Sequence, residues 1–355
     1  MASLNMSLFY VFTHSFTLWP DAYDCPEGLD QSEEKWPILG SYLIVSGIVF
    51  LILYLPSFFV IIRFKSRTPA FQLMLILVVF DFTNLIINSL ITGILALTGT
   101  SFCQYPRFFF IVGAIAVGAW FGDCLACVLL AIERCVEVNS NFLFAFIFGR
   151  RVFYFVTIIL IVYAIYGMVF TVPVIFTPEF GSYFYDPMVG KDPKMYHNLS
   201  HAFNNSSVAV LTTLLYFYLC SYLIFKFGYS TSMWLYKSKR QIILQGVVLC
   251  FFHGVTGIIH AYMQYFYSPS WMIVLAQIVW QWSNGCLSIV YLTLNRTVRN
   301  AVIKMLIPKK IRLRHGWHIG ADEHVALEKA VNNATSGVNA VACTVGIKFN
   351  NYFQN

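Results

Sequence analysis

Apolar residues gather in seven long runs along the chain, separated by short polar or charged stretches. The runs predict helices over about 38–62, 71–98, 108–132, 152–176, 207–225, 242–264 and 271–293. Each meets the requirement of about 20 helical residues for crossing a hydrocarbon core. None alternates with period two, which excludes a transmembrane barrel. Connections are short except for residues 177–206 and the stretch from 294 onward. No 20–50-residue repeat occurs, so an inverted-repeat transporter has no support in the pattern. The N-terminus lacks a basic region and its apolar stretch is broken by His14, which favours the first helix as signal anchor over a cleaved leader. The plan that follows has an external segment at 1–37, a seven-helix domain at 38–293, an amphipathic helix at 294–308 and a tail at 309–355.

Composition narrows the class. Hydrophobic types make up 58% of the 355 residues and charged ones only 11%, too few to dress a water-facing surface. A soluble enzyme, a nucleic-acid binder and a disordered scaffold are thereby excluded. The net charge of +7 is a topology signal, because the basic residues lie on one side. Arg63, Lys65, Arg67, Arg134, Arg150, Arg151, Lys226, Lys237, Lys239 and Arg240 share that side with the basic tail from Arg296 through Lys329 to Lys348. Lys35, Arg107, Lys191 and Lys194 are alone on the other. The expected fold is thus an all-α membrane protein, a seven-transmembrane helix bundle with the N-terminus outside and the C-terminus inside.

Seven helices in this orientation fit a G-protein-coupled receptor, and the ends of two helices carry matching signals. The third ends in Glu133-Arg134-Cys135, an acid beside an arginine, which resembles the switch of rhodopsin-like receptors except that Cys135 replaces the aromatic residue. The guanidinium can pair locally at rest and turn toward a partner when the bundle opens. Ala114, Gly118, Gly122 and Ala126 repeat every four residues above it, letting neighbouring helices approach. The seventh ends in Tyr291, Asn295 and Arg299, again a rhodopsin-like spacing, with Leu-Ser where Asn-Pro is expected. Beyond it Val298, Ala301, Val302, Met305 and Leu306 mark an interfacial helix stopped by Pro308. The seventh run contains no lysine, so a retinal Schiff base is excluded.

Only Asp81 and Asp123 are acids deep within predicted helices. Asp81 lies about 15 Å from the inner end of its helix, and Asp123 about 16 Å above Arg134, at 1.5 Å per residue. Asn84 and Asn88 share the face of Asp81, and Ser283 and Asn284 reach similar depth. A polar cluster at mid-membrane is expected, in which one carboxyl holds a proton or a sodium ion sits between the two. Its alternative is a purely structural hydrogen-bond network. His253, His260, Gln264, Gln277 and Gln281 read as interhelical hydrogen-bonding groups, Trp280 and Trp282 as packing, and Cys124 with Cys127 as small buried residues. His315 with His318 is a lone pair in the tail.

On the outer face the two cysteines are Cys25 and Cys103, expected to pair and to pin the N-terminal segment over the mouth of the bundle. Sequons at Asn5, Asn198, Asn204 and Asn205 fall outside, where glycosylation is expected; those at Asn295 and Asn333 fall inside as chance matches. No phosphate-binding loop, zincin helix or nucleophile elbow occurs, so no enzymatic activity is expected.

Further motifs run collinearly over about 23–300. They include Gly40 to Pro56, Asn88-Ser-Leu-Ile-Thr-Gly93, Gly99-x3-Cys103-x2-Pro106, Tyr262-Met-Gln-Tyr-Phe266, Trp280-Gln-x-Ser-Asn-Gly-Cys286 and Tyr291-Leu-Thr-Leu-Asn-Arg-Thr297. The chain in this respect resembles the nematode serpentine receptor class T family. The resemblance implies a chemosensory receptor at the plasma membrane of sensory cells, coupling an unknown small external ligand to a heterotrimeric G-protein. The lipid bilayer is its other partner, and no nucleic acid is expected. A small-molecule transporter or channel subunit, or a receptor-like protein that does not signal, is the rival reading.

Overall fold

In a computed structural model of the chain, seven helices long and apolar enough to span a bilayer lie among the described residues. They are α1 (Pro37–Arg63), α2 (Pro69–Thr98), α3 (Pro106–Val138), α4 (Arg150–Phe170), α5 (Leu199–Phe227), α6 (Met233–Tyr265) and α7 (Ser270–Thr293). The structure describes residues 2–26, 34–63, 68–227, 233–317 and 319, without side-chain detail at 2–3 and 226–243. Lys65, Arg67, His318, Lys329, Asn333 and Lys348 lie outside the described residues, as do the side chains of Lys226, Lys237, Lys239 and Arg240. The chain divides into two compact units, Met1–Asn295 with the bundle and Arg296–Asn355 with α8 (Arg296–Leu306) and α9 (Lys309–Arg314).

Proline sets the starts of several helices. Pro37, Pro69 and Pro106 each occupy the first helical position, where the missing N–H costs nothing and the fixed φ suits the turn. Pro308 likewise separates α8 from α9. Within α8, Val298 and Val302 are buried, whereas Met305 and Leu306 of the expected stripe are exposed.

α3 is the most buried of the spans and α4 the least, so α3 runs through the middle and α4 faces lipid. The small-residue stripe explains the central position. A Cβ on Gly118 would come within 2.9 Å of the Ala164 carbonyl on α4, and one on Gly122 would strike the Phe80 ring on α2. Large apolar side chains such as Val45 and Ile52 on α1, or Ile159 and Val162 on α4, point outward, as a lipid solvent requires.

Four boundaries differ clearly from the sequence expectation. α4 stops at Phe170 instead of 176, because Thr171 is extended (φ −113°, ψ 165°) and Pro173 disfavours helix at Val172. The residues released form a hairpin, β1 (Ile175–Thr177) and β2 (Ser182–Phe184), antiparallel with Phe176 opposite Tyr183. The fold is therefore helical throughout the membrane, with one small sheet outside. α5 begins at Leu199, eight residues before the apolar run, since His201, Asn204 and Asn205 turn inward and are buried. At the cytoplasmic side α3 continues to Val138 and α6 starts at Met233, both beyond their apolar stretches.

α2 carries a wide π-helical turn over Ile86–Ile91, closed by the Thr92 hydroxyl donating to the Ile87 carbonyl (2.7 Å). A π turn shifts the helical register. Here Asn84, Asn88, Ser89 and Thr92 are all fully buried on the inner side.

Cys25 and Cys103 form a disulfide, with Cα atoms 5.8 Å apart. Among the described residues, none of 2–26 or 34–36 in the N-terminal segment borders the cavity under the hairpin. Tyr23 is wedged among Phe102, Phe110 and Tyr196, and Phe9 stacks on Phe170 at 5.4 Å, so the segment leans on the outer ends of α3 and α4. The hairpin takes the covering position instead. Closing a loop of 78 residues, the bridge contributes about 4–5 kcal/mol in the chain-entropy account. Replacing both cysteines by serine is expected to lower the melting temperature in detergent, and wild-type Cys25 and Cys103 are expected to label with a thiol reagent only after reduction.

Candidate functional site

The deepest polar side chains meet on α7. The Asn284 amide nitrogen donates to Asp81 Oδ1 (3.1 Å) and to Asp123 Oδ2 (3.0 Å), so one NH₂ group serves both carboxylates. Its oxygen accepts from Asn88 Nδ2 at 3.1 Å. The Tyr54 hydroxyl donates to Asp81 Oδ2 (2.6 Å), and His253 Nε2 lies 3.0 Å from Asp123 Oδ2. Asp81, Asn88, Asp123, His253 and Asn284 are all fully buried. An unpaired charge at this depth costs several kcal/mol, and this density of donors is what offsets it.

Not every expected member joins in. The Ser283 hydroxyl donates to the Trp280 carbonyl one turn back (2.8 Å), the local bond serine makes inside helices, and reaches neither carboxylate. Both polar atoms of the Asn84 side chain lack a partner although buried. A sodium ion between Asp81 and Asp123 would have to displace the Asn284 nitrogen, so the groups present do not fit a cation at that point.

The network climbs from there toward the outside. Gln277 Nε2 donates to the Asn88 carbonyl (2.9 Å), and Ser182 of β2 donates to Gln277 Oε1 (3.1 Å). Gln281 Nε2 bonds Ser89 Oγ and the Leu43 carbonyl, each at 2.9 Å, while Ser46 closes the set on Gln281 Oε1 (3.0 Å). An unbroken series of side chains and one backbone carbonyl therefore joins the external hairpin to the mid-membrane carboxylates.

Beneath the hairpin is a cavity of about 510 Å³. Its walls include Val117 and Trp120 of α3, Tyr183 and Phe184 of β2 with Tyr185 and Asp186 after it, His201 of α5, Thr256, His260 and Gln264 of α6, and Trp280 of α7. Trp280 meets Tyr183 edge to face at 5.6 Å. Among the described wall residues Asp186 is the one acid; burial and nearby Asp192 push its carboxyl up, while the Met188 N–H donated to it pulls the other way. Thr256 Oγ1, Trp280 Nε1 and Gln264 Oε1 have no hydrogen-bond partner. His260, Gln264 and Trp280, read from the sequence as bonding or packing groups, thus border the cavity.

At the inner end Arg134 pairs within its own helix, with Glu133 (3.6 Å) and with Glu137 one turn on. Arg134, Tyr216 and Tyr291 border a narrow space of about 10 Å³. The Tyr291 hydroxyl is buried without a partner. The Asn295 N–H donates to the Val290 carbonyl at the end of the first unit, and Arg299 lies in α8.

Three of the four expected glycosylation positions are corrected. Asn198 donates to the Val172 carbonyl (3.0 Å), Asn204 accepts from the Tyr163 hydroxyl (3.0 Å), and Asn205 accepts from Trp120 Nε1 (2.7 Å). All three are buried within the bundle, where a glycan has no room. Asn5 is half-buried in the N-terminal segment.

With this geometry the comparisons with known proteins agree. The family described as serpentine type 7TM GPCR chemoreceptor Srt matches residues 6–315. The chain belongs to that family. Serpentine receptor class T-55 of Caenorhabditis elegans is 27% identical over 292 residues, 80% of each chain. Squid rhodopsin shares the fold, with a TM-score of 0.52 at 14% identity over 86% of this chain and 93% of its own. The Srt chain is therefore a serpentine chemoreceptor and a multi-pass membrane protein.

Sequence reasoning missed Tyr54 on Asp81, while His253, read as an interhelical hydrogen-bonding group, takes Asp123 as the partner that reading did not name. Tyr54 sits in an apolar run that gives no signal, whereas His253 was visible as an ionisable group inside a span. Asn284→Leu removes the shared donor from two buried carboxylates and is expected to cost about 3 kcal/mol or more, measured as thermal stability in detergent. Glycosidase treatment is expected to change the mobility of wild type no more than that of the Asn198→Gln, Asn204→Gln, Asn205→Gln triple variant.

Proposed function

We propose that this receptor binds a small, mainly apolar ligand without negative charge in the cavity under the hairpin and passes that binding to a heterotrimeric G-protein inside a sensory cell. The observation that carries the reading is the continuous polar series from Ser182 through Gln277, Asn88 and Asn284 to Asp123, which starts beside the cavity wall. The cavity itself selects the ligand class. Aromatic walls favour an apolar body, unpartnered Thr256, Trp280 and Gln264 atoms favour one or two polar groups, and Asp186 repels anions.

At the inner end, Arg134 is held by Glu133 and Glu137 in the resting arrangement and is the group released toward the G-protein. Tyr291, with its unpartnered hydroxyl on the same narrow space, is placed to meet it through a water when the bundle opens. In the centre, the Asn284 amide rather than a sodium ion holds the two carboxylates, so basal signalling is insensitive to added sodium.

A second-messenger screen of small alcohols, ketones, amines and carboxylic acids is expected to return agonists outside the acids. Val117→Trp, which fills the cavity, is expected to abolish the response with surface delivery intact. Arg134→Ala is expected to abolish nucleotide exchange on the G-protein, also with normal surface labelling. A carboxylate as strongest agonist contradicts the ligand class, and exchange equal to wild type in the Arg134→Ala receptor contradicts the switch.

A further inference from the structure

Asp123 and Cys127 lie four residues apart on α3 and so share one face, and His253 meets them from α6. One nitrogen, one sulfur and one oxygen from these residues all fall within 4.8 Å of one another, fully inside the bundle. Nε2 of His253 is 3.0 Å from Asp123 Oδ2, and Cys127 Sγ is 3.9 Å from Asp123 Oδ1. Around tetrahedral zinc, with bonds of about 2.0–2.3 Å, ligand atoms stand about 3.3–3.7 Å apart. Separations of up to 4.8 Å close to that spacing with a contraction of about 1 Å.

The imidazole gives a second, independent indication. Its Nδ1 lies 3.2 Å from the Leu249 carbonyl, an acceptor, and so carries a proton. Nε2 then turns its lone pair on a carboxylate oxygen, another acceptor. Two acceptors at 3.0 Å need a cation between them, either a proton or a metal ion. An Nδ1–H on a backbone carbonyl is also the support that orients metal-binding histidines, and Asn284 orients the carboxylate in the same way through its bond to Oδ2.

We propose that Asp123, Cys127 and His253 bind a borderline divalent transition metal, zinc by its chemistry, clipping α3 to α6 with a fourth position left open. A mixed nitrogen, sulfur and oxygen set disfavours sodium, magnesium and calcium, which want oxygen alone. Binding displaces two protons, that of the Cys127 thiol and the one between Nε2 and Oδ2. The route in is from the ligand cavity: Trp120 forms part of its wall and stacks on the His253 ring at 5.6 Å with 5° between planes. An ion held by both helices stabilises the arrangement that keeps all three donors in reach, and so opposes any activation step that parts α3 from α6.

The test is cobalt uptake by the purified full-length receptor in phosphatidylcholine nanodiscs, which needs no agonist and no G-protein. One equivalent of Co²⁺ is expected to give the visible bands of a low-coordinate site together with a near-ultraviolet thiolate band, both removed by Zn²⁺. Cys127→Ser is expected to lose the thiolate band, His253→Gln to weaken uptake at least tenfold, and Cys124→Ser to behave as wild type. No thiolate band in wild type, meaning a proton only, overturns the proposal, as does a band of full intensity in Cys127→Ser. Should the variants fail to fold, zinc-edge X-ray absorption on the wild-type protein decides: one sulfur in the first shell supports the site, and a shell without sulfur overturns it.

Discussion

Two carboxylates buried at mid-membrane depth govern the layout of the bundle. Burying Asp81 and Asp123 is costly unless each carboxylate is hydrogen-bonded, and the helices around them bring donors to within about 3 Å. α7 does this with one amide, α1 with the Tyr54 hydroxyl and α6 with an imidazole. Three helices are thereby tied to α2 and α3 registers that no apolar packing would specify, since lipid offers apolar contacts everywhere. The π turn in α2 belongs to the same demand. It keeps Asn88 and Ser89, adjacent in sequence, both on the inner side, where one bonds Asn284 and the other Gln281.

The outer end is organised by different physics. Here the early stop of α4 before Pro173 frees a hairpin, and α3 accepts it at Gly113, where any side chain would collide with the Val174 backbone. The Trp36 indole donates to the Pro178 carbonyl (2.9 Å) at the hairpin turn, and Ser182 reaches down to Gln277. The hairpin is thus fixed at both its tip and its inner face, and the cavity below it is a preformed space. With the disulfide holding the N-terminal segment to one side, the mouth is left to the hairpin and the α6–α7 connection.

How much of this was legible follows from what a hydropathy pattern records. It records which stretches are apolar enough to meet lipid, so the seven spans could be read directly. It records little where a helix turns polar side chains inward. His201, Asn204 and Asn205 read as loop and as sugar acceptors, yet they form the buried face of α5 and hold Trp120 and Tyr163. Asp81 and Asp123 stood out because ionised groups in hydrocarbon are expensive, and the same argument pointed at Asn88 and Asn284 through shared depth. It could not separate Asn284 from Ser283, since adjacent residues have the same depth and only the helix rotation, set by packing, chooses between them. Tyr54 was illegible for the opposite reason: its ring is apolar enough to belong to any span.

The energies involved suit a receptor. A hydrogen bond to a charged group contributes about 1.5–3 kcal/mol and one between neutral groups about 0.5–1.5 kcal/mol. The bonds running from Ser182 to Asp123 therefore sum to a few kcal/mol, beyond thermal noise but within reach of a small ligand. Carrying a two-state bundle from about 1:99 to 99:1 takes about 5.5 kcal/mol of differential binding. A ligand that moved Tyr183 or Trp280 would disturb neighbours of Ser182 and of the Trp280 carbonyl, to which both Ser283 and, at 3.4 Å, Asn88 are bonded. It would not need to break the carboxylate cluster outright. Loosening Asn88 is enough to free Asn284 Oδ1, and an amide that can rotate no longer serves Asp81 and Asp123 together. The interaction that makes the bundle possible is for that reason also its natural point of release.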